Sequence, residues 1–363
     1  MNPKPLQWDI FCHVIDNHGD LGVSWRLAAD LAQRGHTVRL WVDDPSALAW
    51  MAPHGATRVE VLPWTSAEQA HVMGDVVVEA FGCRLPQHVE GLIAKHACIW
   101  INLEYLSAER FVQASHGLPS PAMQGHAKGH TKWFFYPGFE LATGGLIRES
   151  NLLVKQSRFD RLAWLSLYAP QAFRALARAP HQLVSLFCYE PRALKPLLAH
   201  WVTGTTPTVL LVTQGRAQQA LTHALDALQI PPLGAGALRI EGLPYLSQEN
   251  YDHLLWSCDL NFVRGEDSLV RALWAGKPFV WQIYPQEDGA HAQKLQALCE
   301  VLQMPNDLQA LHQIWNHLSD APVPSLNPLQ VSPWTSWMRQ THRNLALHVD
   351  LVTQLEQFVS QKR

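Results

Sequence analysis

The segment IDNHGDLG, residues 15–22, places two carboxylates, Asp16 and Asp20, on either side of a glycine. It follows an apolar run that predicts a first β-strand, where a mononucleotide-binding fold has its phosphate loop. Two carboxylates would repel a phosphate strongly in a site of low dielectric constant. As a pair they therefore favour a cationic ligand. Either aspartate taken singly has the alternative role of forming the turn and capping the next helix.

The segment RGEDS follows another apolar run, LNFV, and predicts a turn between a strand ending at Val263 and a helix starting near Ser268. Asp267 or Ser268 is the expected helix cap. An open α/β sheet binds its ligand at such a turn. Arg264 and the free helix N–H groups would cradle a diphosphate, leaving Glu266 to bond a sugar hydroxyl. The alternative is an ordinary capped helix with a surface Arg–Glu pair.

Phe187 and Tyr189 end the strand predicted by LVSLFCY and share one face by alternation. Together they could stack on a nucleotide base, although core packing is the commoner role of such residues. His126 and His130 have a spacing seen in metal sites, but no carboxylate or cysteine lies at ligand spacing from them. We therefore expect no metal site.

A dinucleotide-binding fold is an alternative, because the Asp43–Asp44 pair ends the second predicted strand at a suitable distance for a ribose contact. The loop argues against it, since Gly19 and Gly22 do not form the GxGxxG pattern and the carboxylates would face a diphosphate.

Composition excludes several other classes. The 363 residues carry a net charge of -3, which gives no support to nucleic-acid binding. No apolar run approaches the roughly 20 residues of a membrane span. Six cysteines without CxxC spacing and an N-terminus unlike a signal peptide predict a cytoplasmic protein.

Strand and helix patterns alternate twice along the chain, once after Trp8 and again from about residue 181 to Tyr284. Short continuous apolar runs such as DVVVEAF are typical of parallel sheets that are covered on both faces. The fold class is therefore α/β with two Rossmann-like domains, expected at residues 1–175 and 176–332. A long C-terminal helix, 333–363, is expected to pack back on the first domain.

A diphosphate cradle on the second domain and an acidic loop on the first describe two domains that face a cleft. This is the plan of a GT-B glycosyltransferase, in which the C-terminal domain holds the nucleotide-sugar and the N-terminal domain presents the acceptor.

Several long strings resemble the EarP family, the protein-arginine rhamnosyltransferases that modify elongation factor P. They span nearly the whole chain and include FCHVIDNHGDLGVSWRLAADL, DVVVEAFGCRLP, INLEYLSAE, TGGLIRE and FVRGEDSLVRALWAGKPFVWQIYPQED. The resemblance implies an inverting enzyme that moves L-rhamnose from dTDP-β-L-rhamnose to one arginine of elongation factor P. It implies no cofactor, no metal, no nucleic acid and no membrane.

The resemblance also implies roles for individual residues. Asp20 is the candidate general base, with Asp16 beside it and Glu266 as a third catalytic carboxylate. The residues expected to bind the donor are Asn17, His18, Gly19, Phe187, Tyr189, Gln248, Tyr251, Arg264, Gly265, Asp267 and Ser268. One departure from the family pattern is CYEP, in which Glu190 and Pro191 follow the second aromatic residue.

An arginine acceptor would explain the acidic loop. A guanidinium is cationic, planar and a poor nucleophile, because its lone pairs are delocalised and its pKa exceeds about 12. Two carboxylates can hold it, localise its charge away from the attacking nitrogen and accept a proton. Two alternatives stay open: a GT-B enzyme acting on a small-molecule or lipid-linked acceptor, and a non-catalytic nucleotide-sugar binding protein.

Overall fold

The computed structural model describes residues 4–15, 18–285 and 289–363. The chain divides into two compact units, each with one predominantly parallel β-sheet. The first unit comprises residues 1–150 together with 347–363, and the second comprises residues 151–346. Both units alternate strands with helices, so the predicted α/β class is confirmed.

The first unit contains a seven-stranded sheet. Its strands are β1 (Gln7–Cys12), β2 (Thr37–Val42), β3 (Val59–Pro63), β4 (Val76–Ala80), β5 (Ile99–Leu103), β6 (Pro119–Pro121) and β7 (Thr131–Phe135). Its helices are α1 (Gly19–Gln33), α2 (Leu48–Met51), α3 (Gln87–His96), α4 (Phe111–Ser115) and, from the C-terminus, α15 (Leu351–Lys362), with a 3-10 helix at Trp64–Gln69.

The second unit contains a five-stranded sheet. Its strands are β8 (Gln182–Leu186), β9 (Thr208–Val212), β10 (Leu238–Gly242), β11 (Leu260–Arg264) and β12 (Phe279–Gln282). Its helices are α5 (Leu152–Ser157), α6 (Arg161–Tyr168), α7 (Pro170–Arg178), α8 (Leu194–Thr203), α9 (Arg216–Leu228), α10 (Gln248–Ser257), α11 (Gly265–Ala275), α12 (Ala290–Val301), α13 (Asn306–Trp315) and α14 (Pro328–Ala346).

Both sheets reverse their strand order at the centre. The first runs β3-β2-β1-β4-β5-β7-β6, in which only the β6–β7 pair is antiparallel. The second runs β10-β9-β8-β11-β12 and is wholly parallel. The order reverses between β1 and β4 and between β8 and β11, and doubly wound sheets bind ligands beyond the carboxyl ends of the strands at such points.

The central strands are buried because helices cover both faces of each sheet. Every residue of β4, β8, β9 and β11 is buried, which confirms the expectation drawn from their continuous apolar runs. No helix in the described ranges combines the length and apolar character that crossing a membrane requires.

The boundary between the units lies at Ser150–Asn151, before the boundary expected near residue 175. The reason is packing: Trp164 and Leu165 of α6 and Ala172 of α7 join Leu183 and Leu254 in one buried cluster of the second unit. The helices that sequence assigned to the end of the first domain are therefore part of the second domain's core.

The C-terminal segment forms two helices instead of the single helix expected from Pro333. Helix α14 starts at Pro328 and belongs to the second unit, where Trp334 Nε1 donates to Asp307 at 2.9 Å. Asp350 caps α15 by accepting the Thr353 N–H. Only the second helix lies in the first unit, where the Leu351 N–H donates to the Leu146 carbonyl.

Candidate active site

The acidic loop of the first unit connects β1 to α1. Helix α1 begins at Gly19, which places Asp20 in its first turn, 3% exposed. Asp20 Oδ2 accepts the Ile15 N–H at 2.9 Å, so the carboxylate connects the start of the loop to the first turn of α1. A negative charge in the first turn is stabilised by the helix dipole. The protein therefore holds this carboxylate in a fixed position at the carboxyl end of its central strand.

His18 is the residue that precedes α1, and it makes no side-chain capping bond to the helix. Its ring packs edge-on against Trp50, with ring centroids 5.2 Å apart. Asp20 is thus not the helix cap, although its bond to the Ile15 N–H gives it a structural role in the turn. Asp16 and Asn17, which sequence placed beside it, lie outside the described residues.

A second carboxylate also holds this loop. Asp43, at the end of β2, accepts the Val14 N–H at 2.9 Å and lies 2.6 Å from Nδ1 of His13. Burial, together with the nearby charges of Asp20 and Asp43, raises the pKa of Cys12 to about 12. The cysteine closest to the loop in sequence is therefore a neutral thiol at physiological pH and unsuited to act as a nucleophile.

In the second unit, the turn predicted for RGEDS does not exist as a separate loop. Strand β11 ends at Arg264 and α11 begins at Gly265, so the prediction of a helix start near Ser268 was wrong. Neither Asp267 nor Ser268 is the cap, because both lie within the first turn. Ser268 Oγ instead accepts the Arg264 N–H at 2.9 Å and donates to the Arg264 carbonyl.

Because α11 starts earlier than predicted, different backbone N–H groups are available to bind an anion. Gly265 adopts a φ of +66°, a conformation that favours glycine and lets the strand turn directly into the helix. The first N–H groups of α11 therefore belong to Gly265, Glu266 and Asp267. Trp281 Nε1 donates to the Gly265 carbonyl at 2.8 Å and fixes this helix start from β12. The N-terminus remains suited to a phosphate, as the sequence predicted, but three residues earlier.

Arg264 lies between the two aromatic residues that follow β8. Its guanidinium carbon is 4.5 Å from the ring centroid of Phe187 and 4.5 Å from that of Tyr189. Its Nη1 donates to the Cys188 carbonyl at 3.0 Å, and the side chain is largely buried. The structure therefore brings these three predicted site residues together at the point where the strand order reverses.

Three further contacts in this cluster have no obvious signal in the sequence. Gln282 Oε1, at the end of β12, accepts the Tyr189 N–H at 2.8 Å. The guanidinium carbon of Arg216 lies 5.8 Å from the centroid of the Tyr189 ring. Tyr284 packs edge-on against the same ring. Arg216 begins α9, four residues after the end of β9.

The other predicted donor residues come from α10. Gln248 is its first residue, and Tyr251 packs edge-on against Phe187 with centroids 5.5 Å apart. Burial raises the pKa of Tyr251 well above its ordinary value, so its hydroxyl is always protonated. Tyr251 therefore joins the aromatic cluster through its contact with Phe187.

The arrangement has a definite chemical capacity. A guanidinium, a helix N-terminus and two aromatic rings at one strand end fit a nucleoside diphosphate: the cation and N–H groups match the phosphates, and the rings match a base. Glu266 is half-buried in the first turn, and its carboxylate has the chemistry to accept a hydrogen bond from a hydroxyl group. In the part of the chain described, no group of three His, Cys, Asp or Glu residues could hold a metal ion.

Comparisons with known proteins identify the family. A family model described as Elongation-Factor P (EF-P) rhamnosyltransferase EarP matches residues 8–360. A protein-arginine rhamnosyltransferase of Pseudomonas aeruginosa is 42% identical over 332 residues, which cover 85% of this chain and 85% of that protein.

Solved structures agree with this assignment. A structure described as the structural basis for EarP-mediated arginine glycosylation of translation elongation factor EF-P is 30% identical with a TM-score of 0.64, covering 99% of this chain and 100% of that one. The calicheamicin glycosyltransferase CalG4 is 13% identical with a TM-score of 0.51, covering 99% of each chain, and supports the GT-B fold alone. The chain belongs to the EarP family of elongation-factor P rhamnosyltransferases.

Proposed function

We propose that this chain is an inverting glycosyltransferase that moves L-rhamnose from dTDP-β-L-rhamnose to an arginine side chain of elongation factor P and so activates that factor. The observation that carries the proposal is the family match over residues 8–360. One feature of each unit supports it: a buried carboxylate in the first turn of α1, and a guanidinium between aromatic rings at the ends of β8 and β11.

The second unit holds the dTDP part of the donor. The thymine stacks on the aromatic pair Phe187 and Tyr189, and the diphosphate takes the charge of Arg264 and the first N–H groups of α11. Glu266 accepts a hydrogen bond from a rhamnose hydroxyl. Gln282 acts as a positioning residue, because its bond to the Tyr189 N–H sets the backbone that carries the ring.

Transfer requires one bond to form and one to break at the anomeric carbon. A guanidinium nitrogen of the acceptor attacks that carbon from the face opposite the diphosphate, and dTDP leaves with the bonding electrons. The attacking nitrogen loses one proton to the Asp20 carboxylate as the C–N bond forms. Asp16 orients the guanidinium. The product arginine carries rhamnose with inverted anomeric configuration.

Release of dTDP tests the proposal against its rivals. We expect dTDP to accumulate when the chain is incubated with dTDP-β-L-rhamnose and elongation factor P, and to stay near background when the acceptor arginine is replaced by lysine. Equal release without elongation factor P would indicate a small-molecule or lipid-linked acceptor. Donor binding without any release would indicate a non-catalytic binding protein.

Transfer is expected to need no divalent metal ion. Arg264 and the α11 N-terminus supply the positive charge that stabilises the leaving diphosphate. Single-turnover rates in EDTA should therefore equal those with added magnesium. A rate that vanishes in EDTA and returns with magnesium or manganese would show that a metal carries this role.

Tyr189→Ala should weaken donor binding more than it slows turnover at saturating donor. Stacking on a base is worth about 1–3 kcal/mol and acts equally in the ground and transition states. We expect dTDP affinity to fall by about 5 to 150-fold, because each 1.4 kcal/mol is a factor of ten. Tyr189→Phe is the matched control, since it keeps the ring. An unchanged affinity for dTDP in the alanine variant would show that Tyr189 packs in the core and does not bind the base.

We also propose a cytoplasmic location. The acceptor is a translation factor, and all six cysteines are free thiols, as expected in a reducing compartment.

A further inference from the structure

A cavity of about 650 Å³ lies at the amino ends of the strands of the second sheet. The residues proposed to bind the donor lie at the carboxyl ends of these strands. The cavity walls come from the amino ends of the strands: Gln182 starts β8, Asp259 precedes β11 and Lys277 precedes β12. Helix α14 closes one side. Five strand residues at about 3.3 Å each separate Gln182 from Phe187 by roughly 16 Å, so this cavity cannot be the diphosphate position.

The cavity is positively charged. Lys277 and Arg339 line it, and neither has an ion pair or hydrogen bond with any other residue in the described ranges. Asp259 also lines it, but its Oδ2 accepts the Leu183 N–H at 2.9 Å and its Oδ1 lies 3.8 Å from Arg161. The carboxylate is thus already engaged, while two cations are available to a ligand.

Polar groups without partners accompany the two cations. Gln182 is 6% exposed, and neither its amide oxygen nor its amide nitrogen has a hydrogen-bond partner among the described residues. A buried polar group without a partner is costly, which makes such a group an indication of an absent ligand. Ser332, Ser336 and Arg339 line the cavity from one face of α14, where their spacing brings them together.

We propose that this cavity binds a small phosphate-bearing molecule, separately from the donor. The two cations and the serine hydroxyls match phosphate oxygens, and the amide matches a polar group on the rest of the ligand. The volume lies within the range of about 300–1,000 Å³ typical of small-molecule pockets and exceeds the needs of a bare ion.

Calorimetric titration of the full chain with inorganic phosphate and with glycerol 3-phosphate tests the proposal. We expect saturable binding that persists when dTDP fills the donor site. Lys277→Ala and Arg339→Ala should each weaken it by about ten-fold or more, the loss expected for a charge-assisted hydrogen bond. Lys195→Ala removes an exposed cation from α8, outside the cavity, and should leave binding unchanged.

Gln182→Met supplies a second readout. It removes the amide while keeping the side-chain length, so it should raise the melting temperature of the unliganded chain and reduce the stabilisation that glycerol 3-phosphate gives. Binding that survives Lys277→Ala and Arg339→Ala but disappears in Arg264→Ala would overturn the proposal, because the donor site would then be the phosphate site. Equal losses in Lys195→Ala, or no saturable binding, would overturn it as well. None of these measurements involves sugar transfer.

Discussion

Asp20→Asn is expected to reduce the rate of rhamnose transfer to elongation factor P by about 100 to 10,000-fold or more. This is the range typical of losing a positioned general base. Asparagine keeps the size of the side chain and an oxygen that can accept the Ile15 N–H, so the loop should keep its conformation. What is lost is the negative charge and the capacity to take a proton. The dissociation constant for dTDP should barely change, because the donor is proposed to bind the second unit.

Asp43→Asn is the matched control for this variant. Asp43 accepts the Val14 N–H just as Asp20 accepts that of Ile15, so both substitutions neutralise a carboxylate that holds this loop. Single-turnover transfer should therefore fall far less in Asp43→Asn. Near-normal transfer by Asp20→Asn would leave Asp20 with only its structural role in the turn. If Asp20→Asn lost both donor binding and transfer, Asp20 would be assigned to binding the sugar of the donor.

Arg264→Ala should have the opposite signature, weakening donor binding by about 10 to 150-fold. The range follows from the roughly 1.5–3 kcal/mol of a hydrogen bond to a charged group. Arg264→Lys keeps the charge but loses the planar group between Phe187 and Tyr189, so an intermediate affinity is expected. Isothermal titration with dTDP measures all three proteins.

Arg239→Ala is the control for Arg264→Ala, because it removes one positive charge from the same unit. Arg239 donates to the nearby Gly236 and Leu238 carbonyls, away from the proposed site. Its donor affinity should match that of the unmodified chain. Donor binding that is unaffected by Arg264→Ala would contradict the placement of the diphosphate at the start of α11.

The strands that surround the site could be predicted from sequence because they are buried on both faces. The apolar runs of β4, β8, β9 and β11 leave little alternative to a covered parallel sheet. Strands β3 and β7 escaped prediction for the opposite reason, since most of their residues are only partly buried and carry no such run.

Helix starts were less predictable because local hydrogen bonds replaced the expected caps. Cap preferences pointed to Asp267 or Ser268, but the Ser268 hydroxyl bonds back to Arg264, and Gly265 turns the chain with a positive φ. The C-terminal break was missed similarly: the apolar spacing continues past Ala346, while Asp350 caps a new helix. Such endings depend on contacts that residue spacing does not reveal.

The sequence predicted only some of the contacts between residues of the candidate site. Strand order places the ends of β8 and β11 side by side, so the meeting of Phe187, Tyr189 and Arg264 follows from a doubly wound sheet. The contribution of Gln282 required the adjacent strand β12 to be known. Asp20 stands out in the sequence by its charge in an unusual place, which composition alone does not reveal, and its catalytic role stays a prediction.

The intact mass of elongation factor P after incubation with this chain and dTDP-β-L-rhamnose shows whether the chain transfers rhamnose to that factor. We expect an increase by one deoxyhexose, located on one arginine by fragmentation, and no increase when Asp20→Asn replaces the unmodified chain in a short incubation. An unchanged mass with the unmodified chain, under conditions where dTDP binds, would contradict this expectation.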